Sequence, residues 1–450
     1  MAKSKYLTAP IPSDKMPAGI PYILANEGAE RFSFYGMSGI LVMFMTEHLM
    51  GRSGVLDVMS ENKTEAYFHF FNSAVYFTPF LGALISDIWL GKYKTIFYFS
   101  LLYCLGYLAL VLDVTRLGLF VGLVLIAIGS GIIKPCVSAN VGDQFGQTNK
   151  HLIERFYGWF YFSINLGAAI SMFLCPWLLD RYGPRMGFGI PAVFMVLATI
   201  AFWLGKWKFV HIPASGFDSV KQTFDREAIK SLGKLCIIYA FVAMFWALFY
   251  QSQSAWVLQA KKMNLKCLGI TWLPAQLQFV NPSLILVLIP AFTYCFYPAI
   301  NKIFTLTSLR KITIGMFVTV LSFVVCGWIE MRIVAGDKPS IGWQFLAYVI
   351  LTSAEVMVSI TCLEFSYTQA PKKIKSFIMA AFLLSVSVGN AFTGVVNALI
   401  QNKDGTSKLP GASYYWFFTI AMLVTAVLFI PVASRYRVKS YIQDEAPAET

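Results

Sequence analysis

Three charged residues lie close together in the first long apolar stretch of the chain: Glu27, Glu30 and Arg31. A spacing of four places Glu27 and Arg31 on one face of a helix, and Glu30 adjoins them. An arginine keeps its charge, whereas a carboxyl group can take up a proton. Two acids beside one arginine leave one acid poorly compensated, and that acid is able to carry a proton. The alternative is an ion cluster that only orders helix packing.

A single lysine, Lys134, stands in another apolar stretch, just before Pro135. A buried lysine needs an acidic partner, and Glu27 or Glu30 is the natural candidate, with which a substrate could compete. The alternative is a side chain that reaches back to a membrane surface. Lys134 is therefore a candidate for binding an anionic group of a substrate.

Further ionisable residues occur in apolar stretches of the second and tenth predicted helices. Glu355 and Glu364 are nine residues apart, which puts them on roughly opposite faces of a regular helix, so at most one should point into a central cavity. His69 could titrate near neutral pH, although a lone histidine is more often a hydrogen-bonded core residue. Each of these residues is costly inside a bilayer, which favours a functional interpretation.

The composition indicates that lipid rather than water surrounds most of the chain. Of 450 residues, 57% are hydrophobic and only 13% are charged, about half the charged share of soluble domains. The net charge of +13 arises from basic residues spread over short gaps between apolar runs, so it indicates lipid headgroups rather than nucleic acid. No CxxC or Cys/His cluster occurs, and we expect no metal site. The chain is predicted to be an integral membrane protein.

Twelve stretches are long and apolar enough to span a bilayer. Their approximate limits are 22–50, 67–90, 94–113, 117–140, 157–179, 187–206, 232–258, 282–300, 310–331, 342–367, 374–400 and 413–434. With a cytoplasmic N-terminus, the inner segments hold 22 Lys and Arg, the outer segments 12, and the spans 2, which favours both termini inside. No cleavable signal segment is recognisable, so we expect the first span to direct insertion.

The longest polar gap between spans divides the chain into two similar parts. We expect an N-terminal six-helix bundle over 1–206, a cytoplasmic linker over 207–231 and a C-terminal six-helix bundle over 232–450. Two such bundles are the architecture of major facilitator transporters, in which solutes bind at the midplane. The predicted fold class is therefore an all-α membrane protein with twelve transmembrane helices. Phe34, Tyr35 and Tyr76 could line its cavity, because they share spans with the charges.

Five stretches resemble the proton-coupled oligopeptide transporter family of the major facilitator superfamily, in the family's order. Residues 27–36 (EGAERFSFYG) resemble its ExxERFxYYG motif, and 82–92 (GALISDIWLGK) resemble the major facilitator loop motif. Residues 129–145 (GSGIIKPCVSANVGDQF), 160–167 (FYFSINLG) and 355–376 (EVMVSITCLEFSYTQAPKKIKS) are similar to its signatures in spans four, five and ten. The resemblance covers about residues 20–400.

The resemblance implies roles for individual residues. Proton coupling is assigned to Glu27, Glu30, Arg31 and His69, the last matching a histidine typical of animal members. Substrate contacts are assigned to eight polar and aromatic residues. Lys134 would pair with the acids or a substrate carboxylate, Glu364 would meet a peptide's amino terminus, and Asn165 and Asn281 would hold its backbone. The implied pocket-lining residues are Tyr35, Tyr76, Trp256 and Ser366.

Besides Phe34, which replaces the first Tyr of the ExxERFxYYG motif, five positions depart from the family's pattern. Ser38 stands where an arginine usually helps to bind the peptide carboxylate, and Tyr250 stands where the seventh span usually has an acid. Ala255 and Thr293 replace an Arg–Asp pair of the animal members, and Phe382 replaces a tryptophan. Loss of both members of the pair avoids an unpaired buried charge. The expected pocket is therefore less polar than a standard peptide site.

We interpret the chain as a symporter that imports short peptides or peptide-like solutes with protons, by alternating access. It would need no cofactor, would act as a monomer in the cell membrane, and would have no nucleic-acid partner. One alternative is a carrier of another small solute, such as nitrate or an organic anion, which the Ser38 position favours. A non-transporting receptor on the same fold is a second alternative. No nucleophile–base or metal constellation suggests an enzyme.

Overall fold

The structure is a computed structural model that describes residues 6–214, 216, 226–369, 375–402, 404 and 406–436. Twelve long helices dominate it, several built from consecutive segments. The first six are α1 (Ile20–Met43, continued by Phe44–His48), α2 (Glu61–Ile85, continued by Ser86–Leu90), α3 (Lys92–Leu112), α4 (Arg116–Gly142), α5 (Ile153–Tyr182) and α6 (Pro184–Leu204).

The second six helices are more often interrupted than the first six. They are α7 (Arg226–Phe249, Tyr250–Gln253 and Ala255–Ala260), α8 (Pro274–Phe279, Val280–Ala291, Phe292–Phe296 and Tyr297–Asn301), α9 (Ser308–Val334), α10 (Gly342–Glu355, Val356–Ile360 and Thr361–Gln369), α11 (Lys375–Ile400) and α12 (Ala412–Arg435). A short antiparallel hairpin of β1 (Lys266–Cys267) and β2 (Ile270–Thr271) connects α7 with α8. The twelve predicted spans are thus confirmed as helices.

Apolar composition explains why these helices need a bilayer. Within the described residues, eleven helices are long and apolar enough to cross a membrane, and their windows have a mean hydropathy of 1.3 to 2.3. The exception is α1, which carries Glu27, Glu30 and Arg31. Many large apolar side chains, such as Leu105 and Val287, remain exposed, as lipid contact requires.

Helices α1–α6 and α7–α12 form two sets that meet along few helix pairs. In the first set, α1 packs on α5 and α6, and α4 packs on α2 and α3. In the second set, α11 packs on α7, and α9 packs on α10 and α12. The sets meet through α2 with α11 and α5 with α8. We call the face where α1 begins the N-face, and the opposite face, where α1 ends and α2 begins, the far face.

The predicted linker lies largely outside the part of the chain that the structure describes. Residues 215 and 217–225 are not described, and α7 begins at Arg226, inside the range predicted for the linker. The C-terminal residues 437–450 also lie outside the described range. The division into 1–206, 207–231 and 232–450 therefore stays a prediction.

Close packing of α1 on α5 depends on two glycines. A Cβ atom at Gly167 would lie 2.7 Å from the carbonyl oxygen of Gly28, closer than real contacts allow. The two backbones therefore approach as small residues in membrane helices permit. This approach holds the charged turn of α1 directly against α5, since the Phe32 nitrogen and the Arg31 Cβ are the next neighbours of that position, at 3.1 and 3.6 Å.

Helix α7 breaks where it faces the first set of helices. The turn Tyr250–Gln253 is tightly wound, and Ser254 has φ −129° and ψ −87°, which ends the regular hydrogen bonding. Tyrosine hydroxyl groups bind carbonyl oxygens on both sides of the break: Tyr348 donates to Ser252 at 2.7 Å, and Tyr415 donates to Ala255 at 3.1 Å. Irregular backbone at this depth is tolerated only where protein covers it. The break turns Gln253 and Ser254 towards α1 and α2.

Candidate functional site

The charged residues of α1 form a compact buried cluster. Arg31 Nε lies 2.6 Å from Glu27 Oε1 and 3.2 Å from Glu30 Oε2. Glu27 and Glu30 are only 3% and 2% exposed. Neither carboxylate oxygen of Glu30 has a hydrogen-bond donor among the described residues. One guanidinium thus serves two acids, and it holds Glu27 by a direct hydrogen bond while Glu30 receives only the longer ion pair.

Lys134 lies beside this cluster without joining it. Its Nζ atom is 4.2 Å from the ring centre of Phe34 and 4.5 Å from that of Tyr76, which are cation–π distances. Within the described part of the chain, this buried Nζ has no hydrogen-bond partner. The expected ion pair of Lys134 with Glu27 or Glu30 is therefore not formed here, because Arg31 occupies both acids.

Tyrosines surround the lysine and connect the two helix sets. The rings of Tyr76 on α2 and Tyr250 on α7 meet edge to face with centres 5.7 Å apart. Tyr35 follows Phe34 on α1, and their ring centres are 5.5 Å apart. Tyr250 is buried and occupies the position at which the resembling family usually has an acid. This part of the site therefore offers aromatic faces and hydroxyl groups in place of a second negative charge.

Glu355 of α10 is the acid that approaches these tyrosines from the second helix set. Asn281 on α8 donates a hydrogen bond of 2.7 Å to Glu355 Oε2 and one of 3.1 Å to Thr352 Oγ1. Tyr35 and Tyr161 lie within electrostatic range of the Glu355 carboxylate. In this structure Asn281 orients Glu355, and its predicted contact with a substrate backbone stays a prediction.

Glu364, the acid assigned to the substrate's amino group, occupies a different place. It is exposed, and it lies near Tyr297 towards the N-face end of α8. A π-helical turn, Val356–Ile360, separates it from Glu355. Glu355 is therefore a second candidate for the contact with the amino group, and the assignment to Glu364 stays a prediction. The signal was available: Glu355 is an acid in the middle of an apolar span.

Two of the expected pocket residues are buried in the helix packing instead. Trp256 is 0% exposed, and its ring lies 5.0 Å from that of Tyr348 and 5.8 Å from that of Phe323. Ser366 is also fully buried and accepts a hydrogen bond of 2.7 Å from Tyr239. Each side chain faces the interior of the second helix set in this structure, and both assignments to the pocket stay predictions.

Asn165 on α5 lies on the helix face that carries Tyr161. Its Nδ2 donates to the Tyr161 carbonyl oxygen at 2.9 Å, and the residue is 8% exposed. Its carbonyl oxygen atom Oδ1 remains able to accept a hydrogen bond. Because Tyr161 lies in range of Glu355, Asn165 stands on the same side of the site as the α10 acid.

His69 lies apart from the ion cluster and joins the two helix sets. Its Nδ1 is 2.9 Å from Asn390 Oδ1 on α11, and its Nε2 is 3.0 Å from Ser254 Oγ at the break of α7. Asn390 Nδ2 donates to the Val386 carbonyl, which leaves Oδ1 to accept from the histidine. A neutral His69 can therefore donate through Nδ1 and accept the Ser254 hydroxyl through Nε2.

Other polar contacts close the far face around His69. Ser38 donates to Gln253 at 3.3 Å, so the residue at the family's arginine position binds a neutral amide across the interface. Ion pairs and hydrogen bonds between the helix sets extend this closure towards the far surface. They include Lys261–Glu47, Lys262–Glu61, Gln401–Ser60, Ser387–Ser73 and Gln278 with the Gly39 carbonyl. The far face is thus closed in this structure.

Comparison with known proteins identifies relatives of this chain. The sequence profile of the POT family matches residues 93–226 and 215–417. Human solute carrier family 15 member 2 is 33% identical over 414 residues, which cover 80% of this chain and 55% of that protein. Peptide transporter family 1 of Drosophila melanogaster is 35% identical, with 72% of this chain and 49% of that protein covered. The chain thus spans about half the length of these curated relatives.

A solved structure of similar size confirms the fold. The crystal structure of an auto-inhibited POT family peptide transporter matches with a TM-score of 0.86 at 31% identity. The match covers 95% of this chain and 99% of that one. The predicted all-α major facilitator fold of twelve helices is therefore confirmed.

Proposed function

Because the chain belongs to the POT family of proton-coupled oligopeptide transporters, we propose that it carries short peptides or peptide-like solutes across a membrane together with protons. The observation that carries this proposal is the buried cluster in which Arg31 serves both Glu27 and Glu30. A charge inside a membrane is expensive and persists where a pathway for ions or solutes uses it. The proton is the coupling ion, and no cofactor is needed.

Glu30 is the proton-accepting member of the cluster in this proposal. Glu27 keeps the short contact with Arg31, whereas both oxygens of Glu30 lack a hydrogen-bond donor among the described side chains. A proton on Glu30 would remove one negative charge from a site that holds more carboxylates than Arg31 can pair. The charge on Lys134 would then be balanced less by the acids and more by an anionic substrate group.

Substrate binding is assigned to groups on both helix sets. Lys134, held against Phe34 and Tyr76, presents its ammonium group to a carboxylate or other anion. Glu355, oriented by Asn281, accepts a cationic amino group from the other side. Asn165 and the hydroxyl groups of Tyr35, Tyr76 and Tyr250 hold the atoms between. Aromatic faces accept varied side chains with little specificity.

Transport would proceed by rocking of residues 1–206 against 232–450, joined by a linker over 207–231. The contacts from His69 and Ser38 to the second helix set support a conformation closed at the far face. The distribution of Lys and Arg favours a cytoplasmic N-face, with both termini inside the cell. The proposed location is the cell membrane, and the proposed unit is a monomer.

A carrier of a different small solute is the second candidate. Ser38 binds Gln253 and supplies no positive charge, and Ala255 and Thr293 supply no ion pair. Among the described residues, the site therefore offers Lys134 beside the cluster, without the arginine that the family usually has at the Ser38 position. An organic anion without a peptide bond would need only that single ammonium group and the aromatic faces around it.

Uptake of labelled dialanine into proteoliposomes tests the proposal. An inward proton gradient should drive accumulation above the external concentration, and the same vesicles without a gradient should only equilibrate. Vesicles that contain Glu30→Gln protein serve as the matched control, because this variant keeps the side-chain size. If folded protein neither binds nor transports dialanine, peptides are removed from the substrate range. The carrier of a different small solute is then favoured.

A further inference from the structure

A polar cleft opens at the far face, between the two helix sets and away from the central site. It lies where the start of α2 meets the ends of α7 and α9 and the start of α12. The lining residues used below are Glu61, Glu65, Gln259, Lys262, Glu330 and Tyr414. None of them belongs to the proposed substrate site or to the proton-accepting cluster.

Glu65 of α2 is the first of two buried acids in this cleft. The Glu65 residue is 6% exposed, and its Oε2 atom forms no hydrogen bond of regular geometry with the described residues. Tyr414 and Asn397 lie beside its carboxyl group from the second helix set. A buried carboxylate oxygen without a donor is unfavourable and indicates that something is missing from its surroundings.

Glu330 of α9 is the second buried acid, at 5% exposure. Its Oε2 accepts a hydrogen bond of 2.8 Å from Gln259 Nε2, which also donates to the Cys326 carbonyl at 3.0 Å. The Oε1 atom of Gln259 accepts from Gln344 at 3.2 Å. Both N–H donors of the Gln259 amide are therefore used.

The charges of the cleft are unbalanced. Among the described residues that line it, Glu61, Glu65 and Glu330 are acidic and Lys262 is basic. Lys262 Nζ lies 3.2 Å from Glu61 Oε2, and both side chains of this pair are about half exposed. Lys262 also acts on Glu65 at longer range, but within the described residues neither buried acid forms an ion pair.

We propose that this cleft is a binding site for a small ammonium group, held between Glu65 and Glu330. An ammonium group has three N–H donors, which suits acceptors arriving from several directions. The rings of Tyr414 and Tyr415 line the cleft and favour an organic cation. A metal ion fits less well, since the described residues contain no group of three or more metal-ligating side chains.

The site spans the interface between the helix sets, which gives it a conformational consequence. Glu65 belongs to the first set and Glu330 to the second, so a shared cation holds them together while the far face is closed. Without the cation, the two acids no longer share a partner, and the closed interface loses that contact. Binding and closure are therefore linked, and an ammonium group in the far-face solution stabilises the closed form.

Thermal unfolding of the purified full chain in detergent tests the site without relying on transport. Methylammonium chloride is the probe, and choline chloride at equal ionic strength is the control for charge without N–H donors. Methylammonium should raise the unfolding midpoint by roughly 2–4 °C more than choline does. Glu65→Gln and Glu330→Gln should each abolish the difference. Glu355→Gln should retain it, because that acid belongs to the central site.

The outcomes separate the proposal from its competitors. An equal shift with both salts, or a shift unchanged in Glu65→Gln, would mean a general salt effect and would overturn the site. If only Glu355→Gln loses the shift of the unfolding midpoint, methylammonium binds at the central site, and the proposed site in the cleft is overturned. In the Glu355→Gln background, dialanine is then compared with N-acetyl-dialanine. If dialanine raises the unfolding midpoint and N-acetyl-dialanine does not, the cleft binds the amino group of a substrate. If neither ligand raises the midpoint, the cleft binds free small amines.

Discussion

Asn281 donates a hydrogen bond of 2.7 Å to Glu355, and this contact between α8 and α10 selects the acid that faces the tyrosines. Glu355→Gln keeps the size of the side chain but removes its charge. The variant should bind dialanine about tenfold or more weakly, because a hydrogen bond to a charged partner contributes about 1.5–3 kcal/mol. Binding of N-acetyl-dialanine should change little. Isothermal titration with both ligands provides the measurement.

Glu364→Gln is the matched control for this prediction, since Glu364 is exposed near the N-face on the same helix. Its binding of dialanine should equal that of the unaltered protein. If Glu364→Gln loses binding while Glu355→Gln keeps it, the assignment from the structure is wrong and the one from the sequence motif is right.

Proton coupling can be separated from transport at Glu30. Glu30→Gln cannot release a proton, so gradient-driven accumulation of dialanine should be lost. Exchange of labelled for unlabelled dialanine across the vesicle membrane needs no net proton movement and should persist. Both rates are measured in the same proteoliposome preparation. Normal accumulation by Glu30→Gln would show that the proton binds elsewhere.

Lys134 should distinguish substrates by their carboxyl group. Lys134→Met removes the ammonium group but keeps an unbranched side chain over Phe34 and Tyr76. Affinity for dialanine should fall about tenfold or more, whereas affinity for dialanine amide should be nearly unchanged. Competition against a labelled substrate measures both. A similar loss for the two ligands would make Lys134 a structural residue.

His69 should hold the far face closed through its two hydrogen bonds to the second helix set. His69→Ala removes both, at about 1 kcal/mol each, which shifts the equilibrium towards far-face opening by up to about thirtyfold. Spin labels at Val55 and Asp404, on far-face loops of the two sets, report the distance.

His48→Ala is the control for this measurement, because His48 ends the final turn of α1 and its removal leaves the contacts of His69 in place. The label distances should match those of the unaltered protein. A His69→Ala distribution that does not broaden or lengthen would remove His69 from the closure.

Two glycines of α5 should differ sharply in their tolerance of a methyl group. Gly167→Ala places its Cβ 2.7 Å from the Gly28 carbonyl, which should destabilise the protein by about 1–3 kcal/mol. Gly158→Ala meets no atom within 4 Å and should be neutral or slightly stabilising. The midpoint of thermal unfolding compares them. Equal midpoints would show that α1 and α5 can separate at no cost.

Features that depend on local periodicity were predictable from the sequence. The spacing of Glu27 and Arg31 implies a shared helix face, and in the structure Arg31 Nε lies 2.6 Å from Glu27 Oε1. The twelve spans follow from runs of apolar residues, which membrane insertion requires whatever the tertiary packing. Departures from these local rules required coordinates.

Angular relations within α10 were one such departure. Nine regular residues would place Glu355 and Glu364 on opposite faces, but the π-helical turn Val356–Ile360 contains an additional residue and reduces the angle to roughly 80°. No residue type in this segment marks such a turn. The faces of the helix beyond it therefore could not be assigned by counting.

Contacts between distant segments were the other departure. His69 binds Asn390, 321 positions away, and Lys134 lies over the rings of Phe34 and Tyr76. The burial of Trp256 and Ser366 likewise depends on which helices pack around them. Chemistry identified these residues as unusual, but only the packing decides their partners.

The glycine contact between α1 and α5 supplies a fixed frame of reference within a moving protein. Because the Gly28 carbonyl and Gly167 touch, the turn that carries Glu27 and Arg31 cannot slide along α5. The separation between Glu27 and Asn165 should thus stay constant through the transport cycle, while distances from either residue to Glu355 change. A pair of probes on α1 and α5 would give an internal ruler, against which every displacement of α10 could be calibrated.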